Sequence, residues 1–340
     1  MAEQAPGQQP SPEHILEALN AYQQTASLKA ALELDLFTAV GEGNQTAPAI
    51  AKRCAASERG TRILSDYLVV IGFLTKEGQR YGLTADSAMF LDRRSPTCLA
   101  GAVAFLNSPH LTDGFKDLAS AVRKGGTVVG KAGTLEPEHP VWVEFARAMA
   151  GFMALPAELI ARLVGAVEGR KSKVLDIAAG HGLFGITIAK HNPHAEIVAV
   201  DWPGVLAVAQ ENARAAGVEA RYRTFPGSAF EVDFGNDYDL VLLTNFLHHF
   251  DVPTCEKFLR KVHRALAPGG RAVTFEFIPN EDRVSPPVAA KFSLIMLSTT
   301  PSGDAYTFSE YERIFRNAGF QSNELHPLPP TPGQVVVSYR

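Results

Sequence analysis

From Lys173 onward the chain alternates short apolar runs with helical segments, and two of the runs end in or near an acid. Val174-Leu175-Asp176-Ile177 leads into Gly180 and Gly182 and then a helix over 184–191. Ile197-Val198-Ala199-Val200-Asp201 leads into a helix over 205–216. Further strands are expected over 220–224, 240–243, 271–276 and 334–339, with helices over 255–266 and 311–318. Such alternation builds a parallel sheet covered on both faces. The expected fold class is therefore α/β, with a Rossmann-like doubly wound sheet. Ligands of these sheets bind outside the carboxyl ends of the strands.

The turn Asp176-Ile177-Ala178-Ala179-Gly180-His181-Gly182 lies at such an end. Its small residues let the backbone approach a ligand closely. Asp201 ends the next strand, where a carboxylate can accept hydrogen bonds from both hydroxyls of a ribose. The two features together predict a nucleoside site. Dinucleotide enzymes carry GxGxxG and seat a pyrophosphate on the helix N-terminus. Here the turn departs from GxGxxG and an Asp precedes it. An acid at that strand end suits S-adenosylmethionine, which has an ammonium and a sulfonium and no pyrophosphate.

The N-terminal half reads differently. Apolar residues recur at helical spacing from Ile15 to Val40 and stop at Gly41 and Gly43. Thr46 is placed to cap a helix over 47–54, and Ser57 to cap another that Gly72 ends. Residues 73–83 read as two short strands around Glu-Gly-Gln. Three helices and a hairpin make a winged-helix pattern. Helical segments over 99–122 and 141–167 flank a Gly-rich loop, 125–133. The second segment carries Trp142, Phe145, Met149, Phe152 and Met153, a stripe that suits core packing or an apolar pocket equally. The expected organisation is a disordered tail (1–12), a helical winged-helix domain (13–98), linker helices (99–170) and the α/β domain (171–340).

Several function classes are disfavoured. No apolar run reaches the roughly 20 residues of a membrane span, and the start of the chain lacks the pattern of a signal peptide. The net charge of -4 offers no basic face for nucleic acid. Cys54, Cys98 and Cys255 are scattered and contain no CxxC pair, so no metal site is expected and a reducing cytoplasm fits best.

In the order and spacing of these motifs the chain resembles the plant-type small-molecule O-methyltransferases and their bacterial relatives, which include acetylserotonin, caffeate and polyketide-tailoring enzymes. Residues 28–37 are similar to the family's first dimerisation helix, and 62–74 with Leu83-Thr84 to its helix and wing. Asp176 to Gly182 resembles its glycine-rich motif, Asp201-Trp202-Pro203 its ribose motif, and Leu247-His248-His249-Phe250 its catalytic segment. Pro268-Gly269-Gly270 and Ala318-Gly319-Phe320 match two of its turns. The resemblance implies a winged-helix dimerisation domain followed by a class I methyltransferase domain. It also implies a homodimer, S-adenosylmethionine as cofactor and a small aromatic acceptor. Leu28, Leu32 and Leu36 are the expected interface residues.

By the same resemblance, Asp176, Ala178, Gly180, Asp201, Trp202, Ser228, Ala229, Phe230, Thr244 and Asn245 bind the cofactor. Phe145, Met149, Met296 and Thr300 line the acceptor pocket. His248 is the general base, with Glu276 as its acidic partner. The chain departs from the family in places. Ala178 and Ala179 replace two glycines, Gly227-Ser228-Ala229-Phe230 lacks a carboxylate, Thr244 replaces a Lys, and His249 an Asp. Ala305 replaces a Glu, for which Asp304 could substitute. The same fold also supports C- or N-methylation and non-methylating reactions, and a winged helix alone would permit a DNA-binding regulator that senses a nucleoside.

Overall fold

The computed structural model describes residues 10–340 and divides into two compact units, one ending at Asn107 and the other spanning Ser108–Arg340. The expectation of a disordered tail falls mostly on residues outside that range.

The first unit contains α1 (Glu13–Glu33), α2 (Leu36–Gly41), α3 (Ala47–Arg53), α4 (Glu58–Val70), α5 (Ala85–Phe90) and α6 (Ala100–Leu106). Between α4 and α5 lies an antiparallel hairpin of β1 (Leu74–Glu77) and β2 (Arg80–Leu83). The helix expected over 15–40 is broken at Asp35, which sits in the left-handed region at φ 56° and splits α1 from α2. Asp35 is held there by ion pairs to Arg53 and Arg93. Ser57 caps α4 by accepting from the Gly60 N–H, whereas Thr46 precedes α3 without a side-chain cap. Leu32, Leu36, Phe37, Ile50, Leu68 and Tyr81 form this unit's core.

The second unit opens with α7 (Pro109–Thr112), α8 (Leu118–Lys124) and the long α9 (Val141–Leu163). A seven-stranded sheet follows. Its strands are β3 (Ser172–Ile177), β4 (Ala195–Asp201), β5 (Tyr222–Pro226), β6 (Tyr238–Thr244), β7 (Leu266–Glu276), β8 (Ser322–Pro327) and β9 (Gln334–Tyr339). Their order is β5-β4-β3-β6-β7-β9-β8, and the first five run parallel. β9 is antiparallel to both β7 and β8. Connecting helices are α10 (Leu183–His191), α11 (Pro203–Ala215), α12 (Val252–Ala265), α13 (Pro287–Thr299) and α14 (Phe308–Ala318). α5, α13 and β8 were not anticipated from sequence: α5 is very short, α13 is apolar nearly all round, and β8 alternates too weakly to read as a strand.

The inner strand β3 is buried along four of its six residues, so its apolar run lies between helices on both faces. β3 ends at Ile177, and Ala178 turns the chain at φ 52°. Gly180 and Gly182 continue the turn at φ 57° and 75°. The two glycines have different surroundings. A Cβ on Gly182 would lie 2.6 Å from the Tyr222 hydroxyl and 3.0 Å from Ala209 Cβ, whereas one on Gly180 would meet nothing closer than 3.8 Å. Gly180→Ala should therefore cost only the left-handed strain, about 1–2 kcal/mol. Gly182→Ala should cost clearly more. Thermal unfolding of the two variants checks this; equal losses would show that Gly182 is not sterically required.

Candidate active site

Three carboxylates stand at the carboxyl ends of β3, β4 and β7. The Asp176 carboxyl is completely buried. Its Oδ2 accepts the Gly185 N–H at 3.1 Å, and its Oδ1 is buried without a partner among the described residues. Burial pushes its pKa well up, against the opposing effect of the Gly185 bond. The Asp176 side chain pins the start of α10 through Oδ2 and leaves Oδ1 as the oxygen that the expected cofactor contact would use.

Asp201, at the end of β4, is half-buried. Its Oδ2 accepts the Gly180 N–H at 2.8 Å and its Oδ1 the Trp202 N–H at 2.7 Å. Each oxygen keeps a further lone pair. Burial raises its pKa to about 6, although both backbone bonds favour the carboxylate. A Cβ on Gly180 would make only ordinary van der Waals contact, with Phe145 at 3.8 Å and the Ala178 carbonyl at 3.9 Å.

The N-terminus of α10, the usual seat of a pyrophosphate, is used by the protein itself. His181 Nδ1 accepts the Leu183 N–H at 3.1 Å, and Asp176 takes that of Gly185. Burial lowers the His181 pKa to about 4, so the ring is neutral and can accept. A strand-end carboxylate with free lone pairs, beside a helix start whose Leu183 and Gly185 N–H groups are occupied, suits a nucleoside without a pyrophosphate. S-adenosylmethionine meets that description.

The other expected cofactor residues ring the same edge. Trp202 caps α11 and packs with Ala146, Val205 and Val208. Gly227 donates its N–H to the Asp201 carbonyl at 2.9 Å, which brings Ser228, Ala229 and Phe230 beside that strand end. Phe230 packs on Phe250 and Phe258 with ring centroids 5.0 and 4.9 Å apart. Thr244 is buried at the end of β6, and Asn245 follows at φ 54° with its side-chain amide 3.9 Å from Met153 Sδ. Left-handed backbone at Ala178 and Asn245, after adjacent strands, is the sort of local strain that clusters at functional sites.

Glu276 ends β7 and is fully buried. Its Oε1 accepts the N–H groups of Phe246 and Leu247 at 3.0 and 2.9 Å, and its Oε2 pairs with His248 Nδ1. The turn carrying His248 is thus fastened to the neighbouring strand through one side chain. The bond at Nδ1 directs the lone pair of a neutral ring to Nε2, which has no hydrogen bond to protein among the described residues. The His248 ring packs edge-on against Phe292, and His249 against Trp142. His249 is held well below the usual histidine range by burial, with the adjacent His248 contributing, and its Nδ1 is buried without a partner. The Asp304 carboxylate faces Arg283 at 3.4 Å and its own neighbour's N–H. Only its backbone meets the histidine turn, the Asp304 N–H donating to the His248 carbonyl. It does not stand in for the acid missing at Ala305.

Of the expected acceptor residues, Met149 and Met296 are buried, and Phe145 stacks on His181 at a centroid distance of 6.4 Å. The Thr300 hydroxyl donates to the Met296 carbonyl and accepts the Gly303 N–H, which closes the end of α13 and leaves the oxygen one acceptor lone pair.

A seven-stranded sheet of this order, with a strand-end carboxylate and a glycine turn at its carboxyl edge, has the architecture of the class I methyltransferases. Comparison with known proteins specifies the family. The O-methyltransferase domain matches residues 115–321 and the O-methyltransferase dimerisation domain residues 16–93. The 3-hydroxy-5-methyl-1-naphthoate 3-O-methyltransferase of Streptomyces sahachiroi is 30% identical, over 87% of this chain and 86% of its own. The tetracenomycin polyketide synthesis 8-O-methyl transferase of Streptomyces glaucescens is 28% identical over 91% of each. A Nostoc punctiforme protein crystallised as a candidate O-methyltransferase is 59% identical, with a TM-score of 0.95, over 98% of this chain and all of its own. The chain belongs to the O-methyltransferase family and is an S-adenosylmethionine-dependent enzyme. Among the described residues no helix is long and apolar enough to cross a membrane.

Proposed function

We propose that the enzyme methylates a hydroxyl of a small aromatic or polyketide-like molecule, with His248 as general base. The observation that carries this reading is the buried Glu276–His248 pair, fixed by two backbone N–H groups at the sheet edge that also holds Asp201. The naphthoate and tetracenomycin activities of the two Streptomyces relatives support the acceptor class.

Asp201 is assigned to the ribose hydroxyls, and the turn from Ala178 to Gly180 to the neighbouring part of the nucleoside. S-adenosylmethionine, when bound, supplies an electrophilic methyl group. The protein then has to hold the acceptor hydroxyl in line and remove its proton as the oxygen attacks. His248 Nε2 takes that proton. The imidazolium so formed is stabilised by Glu276, whose own position is held from β7. The Phe292 ring, packed edge-on against His248, covers one side of the base.

Three outcomes are expected. His248→Ala should lower kcat by about 10²–10⁴-fold while calorimetry finds the affinity for S-adenosylhomocysteine unchanged. Glu276→Gln should act in the same direction with a smaller loss. A His248→Ala enzyme with near wild-type turnover would remove the base assignment, and NMR of the product identifies the methylated atom.

Cofactor affinity should depend on Asp201 with a definite sign. Ribose hydroxyls donate to the carboxylate, so binding is full above the pKa of about 6 and weakens as pH falls through it. Asp201→Asn should bind more weakly, without that dependence, between about pH 5 and pH 8. A wild-type affinity that stays flat across this range contradicts the assignment.

We also propose a homodimer built on the first unit. The expected interface residues Leu32 and Leu36 are corrected, because both are buried in the unit's own core, with Leu28 packed against it. Four of the unit's exposed apolar side chains lie together on α1: Ile15, Leu16, Leu19 and Tyr22 are each more than half exposed and share one helix face. A self-complementary apolar helix face suits an isologous interface. Leu19→Asp should convert a dimer into a monomer in sedimentation at micromolar concentration. A wild-type chain that sediments as a monomer overturns the proposal.

A further inference from the structure

We propose that Lys261 is a positioning residue for the nucleoside site, its ammonium holding the turn after β5 in the shape that receives the base. The inference rests on the cofactor assignment made above and concerns a residue outside the family motifs.

The turn begins where Gly227 bonds the Asp201 carbonyl, and Gly227 takes φ 132° to make it. Ser228 then organises the main chain: its carbonyl accepts the N–H groups of Glu231 and Val232, both at 2.9 Å, and its Oγ accepts that of Phe230 at 3.3 Å. One consequence is that the carbonyls of Ala229, Phe230 and Val232 converge. Lys261 Nζ, reaching over from α12, donates to these three at 3.0, 3.1 and 2.6 Å. An ammonium has three donors, and all three are used. Three carbonyl dipoles aimed at one point repel one another unless a cation sits there.

The lysine is fixed as well. Nζ lies 4.4 Å from the ring centroid of the buried Phe234, a cation–π contact. Phe258, three residues earlier on α12, packs on Phe230 from the same helix face. α12 therefore grips the turn twice, once by a ring and once by a charge. Ser228, Ala229 and Phe230 are the cofactor residues that the resemblance implies, and this turn offers no acidic side chain at Ser228; what it presents to the base is its main chain and the Phe230 ring, whose placement depends on Lys261.

Lys261→Met is the test, with S-adenosylhomocysteine as the probe in calorimetry of the full-length enzyme. Its Kd is expected to rise about tenfold or more, with the melting temperature of the free protein lowered by only a few degrees. Hydrogen exchange of amides 228–234 in the free protein should quicken. With an acceptor supplied, KM for S-adenosylmethionine should rise while kcat at saturation stays within about twofold. Lys261→Arg keeps the charge and should raise Kd only a few-fold, less than Lys261→Met; it also serves if the Met variant fails to fold. Unchanged affinity and unchanged exchange in these variants overturn the inference while leaving the cofactor assignment intact. Failure of the wild-type enzyme to bind S-adenosylhomocysteine overturns that assignment and this inference together.

Discussion

Everything at this site depends on β3 lying inside the sheet with β4 on one side and β6 on the other. From that strand end the chain leaves one way into α10 and returns on the other side through β6. The carboxyl ends of β3, β4 and β6 therefore open on a common crevice. Parallel pairing fixes the register, so Ile177 lies against Val200 and Leu243, and Asp201 against Pro226. The turns after these strands must then meet. A shift of the apolar run in β3 by one residue would exchange its two faces and take Asp176 and the glycine turn out of place.

The three strand-end acids show how environment gives one kind of group three uses. Asp176 is sealed, accepts one N–H and has its pKa raised by burial. Asp201 is half open and shares its two oxygens with backbone donors, which leaves lone pairs for a ligand. Glu276 is buried, yet both of its oxygens are engaged by two N–H groups and an imidazole. Burial of a carboxylate without partners is costly, and the number of donors supplied to each acid matches the work it is assigned. The adjacent histidines divide in the same way: His248 has a carboxylate, whereas His249 has only rings around it and stays neutral.

Much of this was legible in the chain. The strands ending near Asp176 and at Asp201 and Glu276 follow from apolar runs bounded by helical periods, because burial on both faces leaves little freedom of composition. The last strand, Gln334–Tyr339, and the cap at Ser57 were readable from local chemistry alone. The pairing of His248 with Glu276 spans 28 residues, and nothing local specifies it. It was approached only through resemblance to a family.

The sequence by itself determined the alternation of elements, the positions of the turns and the residue types at the strand ends, because hydrophobic period and turn chemistry act over a few residues. The tertiary structure decided which polar groups meet. It tied Asp176 to the start of α10, engaged Thr300 in a helix end, buried Leu32 and Leu36 and left Ile15, Leu16, Leu19 and Tyr22 uncovered. It also gathered three carbonyls around Lys261, which in the sequence is one of several charges on an amphipathic helix. The physical reason is common to all of these. Burial and hydrogen-bond satisfaction belong to pairs of groups brought together by the sheet, and a linear pattern records only what each residue offers.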